Sequence, residues 1–305
     1  MPDATARDLG EVGLVARVTE RLGTAPGVLL GPGDDAAVVA AADGRVVATT
    51  DVLVEDVHFR RAWSSGYDVG RKAAAQNLAD VMAMGGTGTA LLVSLVAPPD
   101  LPVDWALSLA DGLRDEAAVV GAAVVGGDMA TGERVVVAVT ALGNLAGRAP
   151  VLRSGARPGD VVVLAGAVGA SAAGLALLQQ GRRDGPLVAA HLRPCPPYAL
   201  GPVLAALGAT AMVDVSDGLA TDLGHVARAS GASVGLHAGR LAAALPEGVT
   251  VEQALTGGED HALAATVPPG TTLPDGVVPV GRVDAGPAQV LLDGEPVRGG
   301  WEHFR

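Results

Sequence analysis

The chain has 305 residues, enough for two domains with an ample core, and 49% of them are apolar. Acidic residues outnumber basic ones by 33 to 21, and the net charge of −12 argues against a nucleic-acid or anionic-membrane surface. A single cysteine, Cys195, excludes an intrachain disulfide and makes the reducing cytoplasm the expected compartment. Residues 1–18 carry acids and lack the features of a signal peptide.

The first half begins with a predicted helix and an aspartate-rich stretch. Apolar residues at helical spacing predict a helix over residues 8–22. Residues 31–59 then read as two strands that carry five aspartates, Asp34, Asp35, Asp43, Asp51 and Asp56. Crowded carboxylates repel one another unless a cation lies between them, which favours a metal-phosphate site. The alternative is that these are ordinary turn residues, where Asp and Gly are preferred.

Residues 31–36, GPGDDA, also fit the Gly-x-Gly-x-x-Ala pattern of dinucleotide-binding sites. In such a site Asp34 and Asp35 would face a pyrophosphate with like charge. The residues that follow read as strand and turn instead of the helix that the pattern requires. We therefore reject a dinucleotide site.

A strong helix is predicted over residues 68–84, with Gly85 and Gly86 as its end. Asp80 falls near the C-terminal end of this helix, where the helix dipole disfavours an anion, so a nearby cation is indicated. Lys72 is the only lysine in the chain, which excludes a phosphate-binding loop of the Gly-x-x-x-x-Gly-Lys-Ser/Thr type.

Four further elements complete the first half, and a junction follows them. We predict a strand at 90–96, a helix at 102–121 and strands at 122–128 and 134–145. The strand at 122–128 ends in Gly126-Gly127-Asp128, which places another carboxylate at the end of a strand. Residues 147–160 are rich in Arg, Gly and Pro and predict a domain junction, so we expect domains at 1–146 and 147–305.

The second half also mixes strands and helices. Residues 161–178 carry no charge and are about long enough to span a membrane, but their glycines favour a buried strand, a turn and a small-residue helix. Residues 212–219 read as a strand that runs into a turn, with Asp214 and Asp217 at its end, and a helix is predicted at 221–230. Gly257-Gly258-Glu259-Asp260 precede another strand.

Six aspartates share one placement, the end of a predicted element beside Gly, Ser, Thr or Leu: Asp35, Asp51, Asp80, Asp128, Asp214 and Asp217. Together they favour multi-metal phosphate chemistry over coincidence. Hydroxyl groups at Thr49, Thr50 and Ser216 would add neutral oxygens of the kind that Mg²⁺ accepts.

Nine motifs carry a family resemblance, in this order along the chain: GPGDDAAVV, TTDVLVEDVHF, NLADVMAMGG, GGDMATGE, LRSGARPGD, SAAGLALL, HLRP, DVSDGLATDLGHVA and GGEDHAL. They resemble the thiamine-monophosphate kinases, a family of the aminoimidazole-ribonucleotide synthetase superfamily. The resemblance covers residues 8–304.

The resemblance implies a two-domain α/β (α+β) fold of the aminoimidazole-ribonucleotide synthetase type. An N-terminal domain (1–146) would bind ATP and magnesium and dimerise through its sheet to form a barrel, and a C-terminal α/β domain (147–305) would follow. The implied reaction is in-line transfer of the γ-phosphoryl group of ATP to thiamine monophosphate, with several Mg²⁺ ions, no phosphoenzyme and no general base. The implied protein is a homodimer in the cytoplasm, without nucleic-acid or membrane partners.

The resemblance also assigns residues to three roles. The metal ligands would be Asp35, Thr49, Thr50, Asp51, Asp80, Asp128, Asp214 and Asp217. The nucleotide would be held by Gly127, Asp128, Arg153 and Ser216. The thiamine phosphate end would be held by His58, Glu259 and Trp301. Without the resemblance, Arg153 is equally well an exposed linker residue, and His58 and Trp301 would be ordinary surface or packed side chains.

Two pairs of adjacent residues depart from the family pattern. Met129-Ala130 stand where the family usually has Thr-Thr, and His261-Ala262 replace the usual Tyr and Glu. These changes concern local contacts more than the type of reaction.

Two alternatives stay open. One is another ATP-dependent synthetase of the superfamily, although the Cys and Lys of selenophosphate synthetases and the terminal Cys of hydrogenase-maturation relatives have no match here. The other is a non-catalytic protein that binds nucleotide or thiamine phosphate, which Met129-Ala130 would favour.

Overall fold

The computed structural model describes residues 5–31, 37–297 and 299–301, with the side chains of residues 11 and 12 left undescribed. The chain forms two compact units, Met1–Val81 with Thr87–Gly147 and Met82–Gly86 with Arg148–Arg305. Asp34 and Asp35 lie outside the described residues, so the metal-ligand role of Asp35 stays a prediction. Among the described residues, we find no helix with the length and apolar character needed to cross a membrane.

The first unit is built on a four-stranded sheet with helices on one face. Its strand order is β3-β6-β4-β5, with β4 and β5 parallel and the other pairs antiparallel, beside a separate β1-β2 pair. The elements are α1 (Ala6–Thr19), β1 (Val28–Leu30), β2 (Val38–Val39), β3 (Val47–Val54), α2 (Gly66–Ala83), β4 (Thr87–Ala97), α3 (Val103–Val119), β5 (Ala123–Thr131) and β6 (Val136–Asn144).

The two faces of this sheet differ in what covers them. Strand β6 alternates between buried and partly exposed residues, as expected for a sheet with one covered face. On the covered face, Gly143 of β6 lies against Val81 of α2. On the other face, Val52 of β3 is 44% exposed and Leu92 of β4 is 38% exposed. The cross-strand register places Leu92 beside Thr140, so these apolar groups lie on a face without helices.

Helices α2 and α3 approach each other closely at glycines. A Cβ atom at Gly112 of α3 would overlap the carbonyl oxygen of Tyr67 in α2, and one at Gly70 of α2 would overlap that of Leu109 in α3. The Arg71 guanidinium donates a hydrogen bond to the Glu116 carboxylate across the same contact. This contact fixes the position of α2 within the first unit.

The second unit is a larger mixed sheet with helices. Its strand order is β13-β12-β9-β11-β7-β10-β8, in which only β9 and β12 are parallel among the described strands. The elements are β7 (Val161–Ala165), α4 (Ala170–Gln179), α5 (Pro186–Leu192), α6 (Leu200–Ala206), β8 (Ala211–Val215), α7 (Leu219–Ser230), β9 (Ser233–Leu236), α8 (Ala238–Ala244), α9 (Val251–Thr256), β10 (Ala262–Val267), β11 (Val277–Asp284), β12 (Val290–Leu292) and β13 (Glu295–Pro296).

The prediction of a mixed α/β fold is confirmed. The uncharged run at 161–178 is strand β7 followed by helix α4, with Gly166 and Gly169 at positive φ between them. Strand β7 lies inside the sheet between β10 and β11, and four of its five residues are buried. A central strand buried on both faces needs no polar residues, which explains the apolar run.

A carboxylate distant in sequence caps helix α4. Asp260 is buried and accepts hydrogen bonds from the backbone N–H groups of Gly169 at 2.5 Å and Ser171 at 2.8 Å. Burial raises the pKa of Asp260 to about 6, while the N–H groups of Ser171 and Gly169 act in the opposite direction. The cap holds the segment that contains Glu259 against the start of α4.

We predict that Gly112→Ala destabilises the protein. The added Cβ overlaps the Tyr67 carbonyl and forces α2 and α3 apart, at a cost of about 1–3 kcal/mol. Urea unfolding measures the loss. Gly239→Ala is the matched control, because this α8 glycine has open space around it and alanine favours a helix. Equal stability of the two variants would contradict the close packing of α2 and α3.

We also predict a pH-dependent stability difference between wild type and Asp260→Asn. Because the folded pKa of about 6 lies above the usual 3.8, the folded state binds this proton more tightly than the unfolded state. The stabilisation is complete below about pH 4 and is lost as the pH rises through 6. Thermal unfolding from pH 4 to 8 should show wild type losing stability relative to the variant. A relative gain would mean that the backbone N–H groups outweigh burial.

Candidate active site

In the first unit, β3 and α2 bring together three of the predicted site residues. Thr49, Asp51 and Leu53 alternate onto one face of β3, and Leu53 is buried there. The Thr49 hydroxyl donates to Asp80 Oδ2 at 2.6 Å. The Asp51 backbone N–H donates to Asn77 Oδ1 at 2.9 Å. Thr49, Asp51 and Asp80 therefore border one β3–α2 contact, which is the candidate oxygen cluster of this unit.

Buried Asn77 orients this contact. It is fully buried in α2, and its side-chain NH₂ donates to the Ala73 carbonyl at 2.9 Å. That bond fixes the amide so that its oxygen points toward the Asp51 N–H. Asn77 is not among the site residues predicted from the sequence, although an asparagine one turn before Asp80 in a helix of small apolar residues was a usable signal.

Thr50 lies on the other face of β3. Its hydroxyl donates to the Val139 carbonyl at 3.0 Å and accepts from the Thr140 hydroxyl at 3.1 Å. The alternation of strand side chains separates Thr50 from Thr49 and Asp51. In one chain, therefore, the structure does not bring Thr50 into the Thr49–Asp80 contact.

Gly127 and Asp128 lie on β5, at the opposite edge of the sheet from β3. The register runs from Asp51 through Val139 and Val93 to Gly127, which is three strand spacings or about 14 Å. A Cβ atom at Gly127 would overlap the Val93 carbonyl, so β5 approaches β4 closely there. Within a single chain, Asp128 does not adjoin Asp51.

His58 follows β3 in a tight turn. Its Nδ1 accepts the Val54 backbone N–H at 3.0 Å, so in the neutral ring Nε2 carries the proton and can donate. Buried Lys72 donates from Nζ to the His58 carbonyl at 3.2 Å. This turn offers a ring N–H donor, consistent with a ligand that bears phosphate oxygens.

In the second unit, three segments meet at the turn after β8, which consists of Ser216 and Asp217. The backbone N–H of Glu259 donates to the Ser216 carbonyl at 2.7 Å, and that of Trp301 donates to the Asp217 carbonyl at 3.0 Å. The structure thus brings together Ser216, Asp217, Glu259 and Trp301, which the sequence analysis assigned to three different roles. We call Ser216 and Asp217 the β8–α7 turn.

Buried carboxylates lie at and below this turn. Asp214, at the end of β8, is buried, and its Oδ2 is 3.4 Å from His261 Nδ1. Asp222 of α7 accepts the Asp217 backbone N–H at 3.0 Å. Burial raises the pKa of Asp222 to about 8, with further rises from Asp214 and Asp217, whereas the Asp217 N–H and Arg153 lower it. The crowded negative charge indicates a place for a cation.

Cationic groups lie beside α7. Burial lowers the pKa of His225, and the charges of Arg153 and Arg228 lower it further. The Arg228 guanidinium lies 3.1 Å from His225 Nδ1, and because a guanidinium can only donate, the imidazole nitrogen accepts. Arg153 therefore lies close enough to α7 to act on both Asp222 and His225. The carbonyl of Arg153, the predicted phosphate ligand, accepts the Ser230 hydroxyl at 3.2 Å, so its backbone lies at the C-terminal end of α7, the end away from the β8–α7 turn.

A cavity of about 350 Å³ lies along α7 in the same unit. Its walls include Thr221, Arg228, Gln289 and Gly300. The Thr221 hydroxyl donates to the Gly299 carbonyl at 2.5 Å, which ties the segment before Trp301 to α7. Trp301 is 52% exposed.

The donor chemistry of both clusters fits magnesium. Among the described residues, no three His, Cys, Asp or Glu side chains form a ready-made metal site. The candidate ligands are carboxylate and hydroxyl oxygens, which Mg²⁺ prefers, and Mg²⁺ usually completes its shell with water and substrate phosphates. We therefore expect few protein ligands per Mg²⁺ ion. The candidate pairs are Asp51 and Asp80 in the first unit and Asp214 and Asp217 in the second.

Comparisons with known proteins agree with these features. Residues 33–145 match the AIR synthase related protein, N-terminal domain, and residues 157–271 match the C-terminal domain of the same family. The chain is 50% identical to the thiamine-monophosphate kinase of Mycobacterium tuberculosis strain H37Rv over 313 residues, covering 98% of this chain and 93% of that protein. It is 40% identical to the Corynebacterium glutamicum thiamine-monophosphate kinase over 282 residues, covering 86% and 83%.

A solved structure also shows similarity to the thiamine-monophosphate kinases. The structure of AaThiL complexed with AMPPCP and TMP superposes with a TM-score of 0.79 at 33% identity and covers 98% of both chains. The predicted aminoimidazole-ribonucleotide synthetase-like fold is thereby confirmed. The chain belongs to the AIR synthase related protein family and, within it, to the thiamine-monophosphate kinases.

Proposed function

We propose that this chain is a thiamine-monophosphate kinase, which transfers the γ-phosphoryl group of ATP to the phosphate of thiamine monophosphate. The products are thiamine diphosphate and ADP. The observation that carries the proposal is the full-length similarity to AaThiL, whose solved structure is a complex with AMPPCP and TMP. The 50% identity to a curated thiamine-monophosphate kinase supports the same substrate pair. A different synthetase of the superfamily is not favoured.

The chemistry explains why no general base is needed. The acceptor is a phosphate monoester with a second pKa of about 6, so it is mostly a dianion at neutral pH. The main obstacle is repulsion between two anions, and the main requirement is alignment of the attacking and leaving oxygens. Side chains that position the phosphates and neutralise their charge therefore suffice.

The oxygen clusters would hold several Mg²⁺ ions. In the first unit the ligands would be Thr49, Thr50, Asp51, Asp80 and Asp128, with Asp35, and in the second Asp214 and Asp217. Bound Mg²⁺ supplies charge neutralisation and orients phosphate oxygens. Within the protein, Thr49 restrains the Asp80 carboxylate, and Asn77 restrains the backbone at Asp51.

The remaining predicted residues divide between the two substrates. Gly127, Asp128, Arg153 and Ser216 would contact the nucleotide, with Arg153 as a guanidinium fork for phosphate. His58, Glu259 and Trp301 would contact thiamine monophosphate, with the exposed indole covering an aromatic ring. Residues 1–146 would thus form the ATP- and magnesium-binding domain and 147–305 the synthetase-like domain, in a cytoplasmic enzyme.

A homodimer is part of this proposal. The helix-free face of the first sheet exposes Val52 and Leu92, and a second copy of the same face would cover them. Closing two such sheets into a barrel brings edge strands of different subunits together. Pairing of β3 with β5 of the second copy would reduce the separation of these two strands from three spacings to one. By the cross-strand register, Asp128 lies on the same sheet face as Thr50, so this pairing would bring those two predicted ligands closer.

The direct test mixes the protein with ATP, Mg²⁺ and a panel of monophosphates. We expect ADP and thiamine diphosphate to form in equal amounts with thiamine monophosphate, and little ADP with the other acceptors. Saturable binding of both ligands without ADP formation would instead identify a non-catalytic binder, the function that Met129-Ala130 would favour.

We predict that Asp51→Asn abolishes turnover at any accessible Mg²⁺ concentration, because the amide removes a charge from the oxygen cluster. The initial rate of thiamine diphosphate formation across a Mg²⁺ titration measures this. Asp100→Asn is the control, since Asp100 is exposed in the turn before α3 and should leave the rate unchanged. Near-normal turnover of Asp51→Asn would remove Asp51 from the set of metal ligands.

We predict that light scattering after size exclusion gives a mass about twice the 30.1 kDa of one chain. Leu92→Asp should shift the protein toward monomer, because it places a charge in the buried centre of the proposed interface. Val119→Asp is the control, since Val119 is 60% exposed at the end of α3 and not on the open sheet face. A monomeric wild type would refute the dimer.

A further inference from the structure

Asp222 is a buried carboxylate that none of the assigned roles uses. It lies in the first turn of α7 and is only 2% exposed. A side chain so enclosed cannot reach a substrate phosphate without rearrangement of the unit. Burying a carboxylate is costly, and the negative charges of Asp214 and Asp217 make this position more unfavourable still. Because burying this carboxylate destabilises the fold, we looked for a structural role of Asp222 that would offset the cost.

The hydrogen bond of Asp222 points to that role. Its Oδ2 accepts a hydrogen bond from the backbone N–H of Asp217 at 3.0 Å. This bond connects helix α7 to the β8–α7 turn. The two carbonyl groups of the same turn accept the N–H groups of Glu259 and Trp301. Asp222 therefore contacts the turn that carries the candidate metal ligand Asp217 and binds two of the three candidate thiamine-end residues, Glu259 and Trp301.

We propose that Asp222 is a positioning residue that clamps the β8–α7 turn and thereby sets the geometry of the phosphate end and the thiamine end together. The proposal deepens the kinase function and rests on it for the identity of the two substrates. The clamp depends on the acceptor oxygen of Asp222. A side chain of the same shape with an acceptor oxygen should therefore replace it, whereas a shorter side chain should not.

Two variants separate the acceptor from other contributions. Asp222→Asn keeps a carbonyl oxygen at the same reach, so its steady-state constants should stay within about threefold of wild type. Asp222→Ala leaves the Asp217 N–H without this partner, so the KM for thiamine monophosphate should rise about tenfold. The affinity of nucleotide-free protein for Mn²⁺, measured by electron paramagnetic resonance, should fall in the same variant.

Val226→Ala controls for general loss of packing. Val226 is buried one turn further along α7, and its aliphatic side chain cannot make a hydrogen bond to the β8–α7 turn. It should lower the thermal midpoint without raising the KM for thiamine monophosphate. Equal KM values for Asp222→Ala and Val226→Ala would overturn the proposal. So would an Asp222→Asn variant as impaired as Asp222→Ala, since the acceptor oxygen would then not be the feature that matters.

A double-variant cycle tests whether Asp222 acts through the turn. If the turn transmits the effect to Trp301, then combining Asp222→Ala with Trp301→Ala should raise the KM by less than the product of the single effects. Full multiplication of the two effects would overturn the link to Trp301. If wild-type protein forms no thiamine diphosphate, the kinase proposal fails. The role of Asp222 is then decided by Mn²⁺ binding alone. Weaker Mn²⁺ binding by Asp222→Ala supports the proposed role, and unchanged binding refutes it.

Discussion

Repulsion between carboxylates is the constraint on which both candidate clusters depend. In the first unit, Asp80 lies at the C-terminal end of α2, where the helix dipole adds to its unfavourable environment, and the Thr49 hydroxyl relieves it only in part. In the second unit, burial raises the pKa of Asp222, and the charges of Asp214 and Asp217 raise it further. A reaction between two phosphates faces the same problem. Cations that neutralise these carboxylates would neutralise the substrates too, which links the stability of the site to its chemistry.

Hydrogen bonds to the backbone hold the candidate metal ligands in defined positions. The Asp51 N–H is fixed by Asn77, whose helix is held by the glycine contact between α2 and α3. The β8–α7 turn is held by three hydrogen bonds. Asp222 accepts the Asp217 N–H, and the carbonyl groups of the turn accept the N–H groups of Glu259 and Trp301. Each cluster is thus positioned by hydrogen bonds from neighbouring elements, and in the first unit also by the bond between Thr49 and Asp80, as site preorganisation requires.

The sequence predicted the local features well because they depend on neighbouring residues. Helical spacing and terminal glycines located α2, and the uncharged run at 161–178 gave β7 and α4. The order of strands depends on contacts distant in sequence, so the position of Asp128 at the opposite edge from Asp51 could not be predicted. Asn77 was missed because its bond to the Asp51 N–H joins residues 26 apart in sequence. The Asp222 bond to the Asp217 N–H joins residues only five apart, but the sequence does not show which of these neighbouring aspartates is buried.

The segment around Glu259 shows how departures from the family pattern can leave a site intact. Glu259 and His261 have φ angles of 64° and 53°, a left-handed conformation that costs a non-glycine residue about 1–3 kcal/mol. Four hydrogen bonds hold it. Asp260 accepts two from the start of α4, the Glu259 N–H donates to the β8–α7 turn, and the His261 N–H donates to the Val215 carbonyl at 2.8 Å. None of these bonds uses the side chain at 261. The backbone that carries Glu259 can therefore form these bonds with either histidine or tyrosine at position 261.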